Sequence, residues 1–570
     1  MVNGPPGTGK TKTVCEAVVQ LANHPSFVGS ILLCAPSNPA ADTLAERLKS
    51  YFNPKSMLRL NDYSRTFAEV PLSLLPYCYV ENDIFNIPPI TQLMAYKIVV
   101  TTCRDADILV QARVTNSDLV ALQKNIAMTF SPFLQQKQTQ ILSHWEALMI
   151  DEAAQATEPE ILIPLSVVNP HALWTSSASM PIFVMAGDEH QLNPRTYGGR
   201  PSRLSMSLFE RLSKTSVYAS HPYARRTIYG KNPPSRMIRP PFVNLTRNYR
   251  SHPAILAVPS SLFYSNTLIP DAARTDSLLS WSGWRQAGWA GWPVLFYCNN
   301  GIDDCKNVRG VGGGWYNTSE AKKAMDIADS LLKSRQIIDQ REICIMSPFP
   351  AQVRYLRQRA KDRGLGLVNI GPVEAFQGLE SRFVIICTTR ARKRFLEADQ
   401  AKGIGIVQEK KKFNVAITRA KEGLIVIGNP WILSTDEYWL SFLNFCWRNS
   451  LWVKDNSNDL RMTELEEAAG NSWSPTTKSD GEGGQNMFGD QQIAGLEAAL
   501  LYREREKLHG SDAAKRFMGQ SHGQDDIMWA SGIEAEKMIA EVHLSTDEGS
   551  SQPEDLANDA SSGGDCENST

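Results

Sequence analysis

Ten cysteines are spread through this 570-residue chain and no CxxC pair occurs among them, which leaves out a zinc ribbon, a zinc finger and a clustered iron–sulfur site. Single thiols such as Cys34, Cys103 and Cys387 read as reduced core thiols of an intracellular protein. Long hydrophobic runs are missing too. None reaches the ~18 residues that a membrane span needs, and no signal-peptide core opens the chain. Net charge is almost absent, at −1, but that neutrality hides an imbalance. Residues 454–570 hold 9 Lys and Arg against 24 Asp and Glu, a net of −15, and no basic residue follows Lys537. The preceding residues hold 50 against 36, a net of +14. A basic body with an acidic tail suits a polyanionic partner.

From Met1 to about Trp452, short Val/Ile/Leu runs alternate with helical patterns, the mark of parallel α/β layers buried on both faces. Strands are predicted at 31–35, 98–101, 147–150 and 182–186, then at 293–297, 343–346, 384–387 and 424–427. The two groups of four flank Pro240-Pro241 and predict two similar sheets. Arg104 to Trp145 turns polar and helical, an insertion in the first domain. Trp281, Trp284, Trp289 and Trp292 stand among glycines; of base stacking and packing anchors, the second is the preferred reading. After about Asp455, Ser, Gly, Asp and Glu dominate and predict disorder, apart from one helix at 493–508.

Gly4-Pro5-Pro6-Gly7-Thr8-Gly9-Lys10-Thr11 fits the G-x-x-x-x-G-K-[ST] phosphate-binding pattern. Its glycines let backbone N–H groups converge on phosphate oxygens at a helix N-terminus. Lys10 is placed to reach the β/γ-phosphates of ATP and the Thr11 hydroxyl to ligate Mg²⁺. Alone, the loop says only NTPase. Leu148-Met149-Ile150-Asp151-Glu152 narrows this: Asp151 at a strand end suits the Mg²⁺ shell, and Glu152 beside it suits proton acceptance from an attacking water. A metabolite kinase has no need of that glutamate, whereas a water-using ATPase does.

Five segments in order carry a family resemblance: DEAA at 151–154, GDEHQL at 187–192, TRNYRSHP at 246–253, VEAFQGLE at 373–380 and NVAITRAK at 414–421. With the loop, they resemble the motif set of superfamily 1B helicases, in the branch of the nonsense-mediated-decay helicase and the Armitage-type RNA-silencing helicases. NYRSHPAILAVPSSLFY (248–264), the Trp-Gly segment, GWYNTSEA (314–321) and Trp439 to Trp447 are most similar to the Armitage type. The resemblance covers about Val2 to Trp452. It implies that Gln191 senses the γ-phosphate and that Arg250 and Arg419 are arginine fingers in cis. It implies that Glu380 contacts the ribose while Gln377 and Gly378 shape that loop. It also implies RNA contacts by Pro36, Ser37, Asn38, Thr101, Thr102, Ser347 and Pro348. Only Met1-Val2-Asn3 precede Gly4, whereas the family places a full strand, an adenine-contacting glutamine motif and a small barrel upstream. The expectation is a piece of a longer protein, or one that a partner completes.

The sequence therefore predicts an α/β protein with two tandem RecA-like P-loop NTPase domains and parallel sheets, at 1–240 (insertion about 104–145) and 241–453, followed by a disordered acidic tail at 454–570. The expected function is an ATP- and Mg²⁺-dependent RNA helicase travelling 5′→3′ on single-stranded RNA, in RNA silencing or decay with protein partners of those pathways. DNA helicase action and a non-unwinding RNA clamp are the alternatives. A monomer, cytoplasmic and away from membranes, is expected; ribonucleoprotein granules and the nucleus are further locations left open.

Overall fold

The structure, a computed structural model, describes residues 1–130, 143–169, 180–194, 196, 203–225, 241–273, 275–287, 292–305, 314–401 and 403–453. Residues 1–194 supply β1 (Val2–Asn3), β2 (Ser30–Ala35), β3 (Met57–Arg59), the hairpin β4 (Val80–Glu81) with β5 (Ile84–Phe85), β6 (Ile98–Thr102), β7 (Trp145–Ile150) and β8 (Ile182–Gly187). The strand β9 (Val243–Asn244) closes the first sheet, in the order β3-β6-β2-β7-β8-β1-β9, every pair parallel. The short β10 (Arg247–Asn248) pairs with β11 (Ile269–Pro270). The second lobe holds β12 (Val294–Cys298), β13 (Ile343–Met346), β14 (Asn369–Gly371), β15 (Ser381–Cys387), β16 (Ala420–Gly428) and β17 (Trp452–Val453). These run parallel in the order β14-β13-β15-β16-β12-β17.

All eight strands predicted from the apolar runs are present, six of them longer by one to five residues, one unchanged and one shifted by a residue. Their side chains are apolar on both faces because helices cover both. Leu32 and Cys34 of β2 join the core beneath the helix Glu158–Val168, while Ile31, Leu33 and Ala35 join the one beneath Lys10–Ala22 and Asn38–Leu48. Two placements differ from the sequence expectation. The strand before the phosphate loop is two residues long where the family places a full strand, and it lies second from the sheet edge. The first sheet also takes its edge strand β9 from beyond residue 240. A two-residue strand carries no periodicity by which a sequence could announce it.

In the insertion, helices Asp107–Gln111 and Asn116–Phe130 are present, and Trp145, expected as its last residue, opens β7. Residues 131–142 of that insertion, Trp289 and the whole of 454–570, including the helix expected at 493–508, lie outside the described residues. Trp281, Trp284 and Trp292 are buried packing anchors. Trp281 and Trp284 meet edge to face at 5.1 Å, both against Phe383, and Trp292 stacks on Phe445 at 5.6 Å. Seven of the nine described cysteines are buried, and none of the nine is disulfide-bonded. No described helix is long and apolar enough to cross a membrane.

A buried ion cluster braces the first lobe beside the expected RNA face. Asp42 Oδ1 accepts from Arg59 Nε at 2.9 Å and Arg65 Nη1 at 3.0 Å, and Arg59 Nη2 donates to Asn38 Oδ1 at 2.9 Å. Removing the carboxylate leaves two buried guanidinium groups without their counter-charge, at a cost of about 3–5 kcal/mol. Asp42→Ala is therefore expected to lower the melting temperature of the chain by several degrees; an unchanged melting curve refutes the bracing role.

Candidate active site between the two lobes

The phosphate loop is shaped by two left-handed glycines. Gly7 has φ 71° and Gly9 has φ 86°, and Gly9 caps the helix Lys10–Ala22. At Gly7 a β-carbon would also strike the Arg250 side chain at 2.6 Å and the Asn248 amide at 2.7 Å, so only glycine fits between loop and second lobe. Nothing lies within 4 Å of a β-carbon built on Gly9, leaving the anion-attracting helix end open. Thr8 closes the turn by donating its hydroxyl to the Pro5 carbonyl at 2.7 Å. Gly4, Pro5 and Pro6 are buried beneath it.

Lys10 folds back over Gly4, where a β-carbon would sit 2.0 Å from its Cγ. It is 8% exposed, and its Nζ lies 3.9 Å from Glu152 Oε1. Asp151 is buried at the end of β7, with Oδ1 accepting from the Glu152 N–H at 3.0 Å. Burial and the neighbouring Glu152 push its carboxyl above the usual carboxylate range, against the Thr11 hydroxyl bonded to it and Lys10. A hydroxyl and a carboxylate converging beside a phosphate loop are hard oxygen donors, the set that Mg²⁺ takes when phosphate oxygens complete its shell. Glu152 itself sits at φ 51°, an uncommon left-handed conformation outside glycine, and Gln155 Nε2 donates to its Oε2 at 2.8 Å. The turn aims its carboxylate at Lys10 and the loop.

The second lobe meets these groups. Arg419 is buried, with Nε donating to the Val415 carbonyl at 3.1 Å and Nη2 reaching Gln191 Oε1 at 3.4 Å across the cleft. Gln191 Nε2 donates to Asp188 Oδ2 at 2.8 Å. Burial, then the nearby Arg250, lower the Arg419 guanidinium to about 9, so its charge is poorly solvated and has no carboxylate partner among the described residues. Arg250 instead donates Nε to Glu380 Oε2 at 2.7 Å and Nη1 to the Thr418 carbonyl at 3.1 Å. Burial alone would raise Glu380, but Arg250 and Lys421 outweigh it and bring the carboxyl to about 2. Glu380, exposed at the cleft, is thus paired with two cations. Gly378 is exposed nearby at φ 80°, and Gln377 keeps a buried Nε2 with no partner among the described residues.

The residues expected to line an RNA path fare unevenly. Ser37 is exposed, with Pro36 and Asn38 half-buried beside it at the start of the helix Asn38–Leu48. Thr101, Thr102, Ser347 and Pro348 are buried. Thr102 accepts the Asp105 N–H at 2.9 Å, and Ser347 shares a hydroxyl contact with Thr389 at 2.9 Å, so these side chains do local work.

Sequence reasoning missed two contacts in this cleft. Asn248 donates Nδ2 to the Pro6 carbonyl at 2.7 Å and accepts the Arg250 and Ser251 N–H groups, clamping the lobes together at the loop. Tyr249 donates its N–H to the Gly7 carbonyl and leaves a 57% exposed ring beside the loop. Both stand inside TRNYRSHP; position within the motif was the only signal.

Residues 204–431 match one AAA domain family, and residues 1–70 with 111–197 match a second. A helicase named mov-10-B.1 from Danio rerio is 34% identical over 78% of this chain and 41% of its own length. "RNA helicase Mov10l1" from Homo sapiens is 32% identical over 79% and 33%. "Probable RNA helicase armi" from Drosophila melanogaster is 30% identical over 79% and 36%. The chain belongs to this superfamily 1 helicase family. It spans less than half the length of these helicase relatives.

In a cleft of this geometry, Glu152→Gln keeps the shape and the acceptor for Gln155 but cannot take a proton. The expected result is a kcat for ATP lower by about 10²–10⁴ with nucleotide affinity kept within a few-fold. Loss of nucleotide binding instead makes Glu152 a structural residue.

Proposed function

We propose that this chain is an ATP-hydrolysing motor that moves 5′→3′ along single-stranded RNA and unwinds or remodels RNA–protein assemblies, in RNA silencing or decay alongside protein partners of those pathways in the cytoplasm. One observation carries the reading: Arg419 of the second lobe meets Gln191 of the first across the cleft, beside Lys10 and Glu152. Lys10 leaves Glu152 to neutralise phosphate charge, which frees that carboxylate to accept a proton from the attacking water. Thr11 and Asp151 would hold Mg²⁺, whose charge screens the phosphate oxygens. The arriving phosphates compete with Glu380 for Arg250, and Arg419 stabilises charge that grows as the phosphoryl group transfers. Pulling both arginines toward nucleotide closes the lobes; product release lets them part. RNA passes over the Pro36-Ser37-Asn38 corner of the first lobe, where the exposed Ser37 hydroxyl and the half-buried Asn38 amide suit backbone contacts that read no sequence.

Strand displacement on duplexes with a 5′ or a 3′ single-stranded RNA overhang tests this reading. Displacement on the 5′ overhang alone, dependent on ATP, is expected. Preference for DNA tracks makes the chain a DNA helicase, and ATP-dependent binding without displacement on either duplex makes it a clamp.

A further inference from the structure

We propose that Tyr264 is a positioning residue for ATP hydrolysis, tying the γ-phosphate-facing Gln191 of one lobe to the Arg419-bearing helix of the other through its hydroxyl. The proposal rests on the ATPase reading of the cleft and assigns a role to a side chain outside the motifs that read as nucleotide-binding. Tyr264 ends the helix Pro253–Tyr264, which packs within the second lobe: its neighbour Phe263 stacks on Tyr438 at 5.3 Å and touches Phe413 at 6.2 Å. The Tyr264 ring nevertheless reaches into the first lobe and is 1% exposed. Its hydroxyl donates to Asp188 Oδ2 at 2.8 Å and accepts from Asn414 Nδ2 at 2.7 Å. Asp188 Oδ2 is the same oxygen that accepts Gln191 Nε2, so the phenol and the glutamine share one carboxylate. Asn414 lies one turn before Thr418-Arg419; its Nδ2 also donates to the His190 carbonyl at 2.9 Å, and its Oδ1 has no partner among the described residues. Asn414 is therefore oriented by Tyr264 and His190, and Gln191 by Asp188 and Arg419.

The ring is fixed as well as the hydroxyl. Arg225 lies 5.9 Å from the ring centre and is tied to Thr267 Oγ1 at 2.5 Å and the Leu245 carbonyl at 3.0 Å. Ser265 and Asn266 follow at φ 49° and 53°, ending the helix in a strained turn that directs Tyr264 inward. Burial, then Asp188, raise the phenol well above its ordinary range, so it stays a donor to that carboxylate. A shift of the second lobe that carries Asn414 and Tyr264 alters the hydroxyl's hold on the Asp188 oxygen that accepts Gln191.

Tyr264→Phe keeps the ring and removes only the oxygen. In steady-state assays with single-stranded RNA, kcat for ATP is expected to fall about tenfold or more while the affinity for a non-hydrolysable ATP analogue stays within about twofold. Asn414→Ala on top of Tyr264→Phe is expected to add less than its effect alone, since both remove one link. A kcat within twofold of wild type, or equal losses in kcat and analogue affinity, overturns the proposal. A wild-type chain that hydrolyses no ATP sinks the ATPase reading instead. The link is then judged by energy transfer between dyes at the exposed Lys55 and Lys361 when ADP–beryllium fluoride binds. Tyr264→Phe must reduce that change by at least half, and a full-sized change refutes the link.

Discussion

Lys10→Ala is expected to remove ATP turnover to the limit of detection while the chain still folds. The lysine is the only cation placed within the phosphate loop itself, and its Nζ already lies 3.9 Å from Glu152, at the centre of the chemistry. An alanine there loses the charge that phosphate oxygens need and leaves Glu152 without its counter-ion. Folding tolerates this because Glu152 is only partly buried and water can solvate it. The check pairs an ATPase assay with a melting curve. Turnover within tenfold of wild type takes the loop out of the mechanism, whatever the stability.

Arg419→Ala is expected to cut kcat by about 10³ or more, with a much smaller loss of nucleotide affinity. The guanidinium is buried and held at about 9, so in the resting cleft its charge is under-solvated and a transferring phosphoryl group meets little competing water. Its value therefore rises with the negative charge of the transition state. Because Arg419 also bonds the Val415 and Leu379 carbonyls, Arg419→Lys is the needed companion: it restores charge and part of the packing but not the reach to Gln191. Equal losses of affinity and rate in both variants place Arg419 in ground-state recognition.

Much of this fold was legible because parallel strands buried on both faces must be apolar without interruption, as Ile31–Ala35 and Ile343–Met346 are. The nucleotide residues were legible because phosphate chemistry demands glycine, lysine and acidic groups at fixed spacing. What motifs do not record is who holds whom at rest. Glu380 reads as a ribose contact, yet the folded chain gives it to Arg250 and Lys421. Thr101, Thr102, Ser347 and Pro348 fall at strand ends where an RNA contact is plausible from sequence, but burial turns their side chains inward. Tyr264 is one aromatic among many along the chain, and only the topology brings it between Asp188 and Asn414.

If two lobes complete one RNA-responsive ATPase, the purified chain hydrolyses ATP several-fold faster with single-stranded RNA homopolymer than without it, and the hydrolysis vanishes in Lys10→Ala, measured beside it as the blank. A rate that RNA does not change, or that Lys10→Ala shares, contradicts that reading.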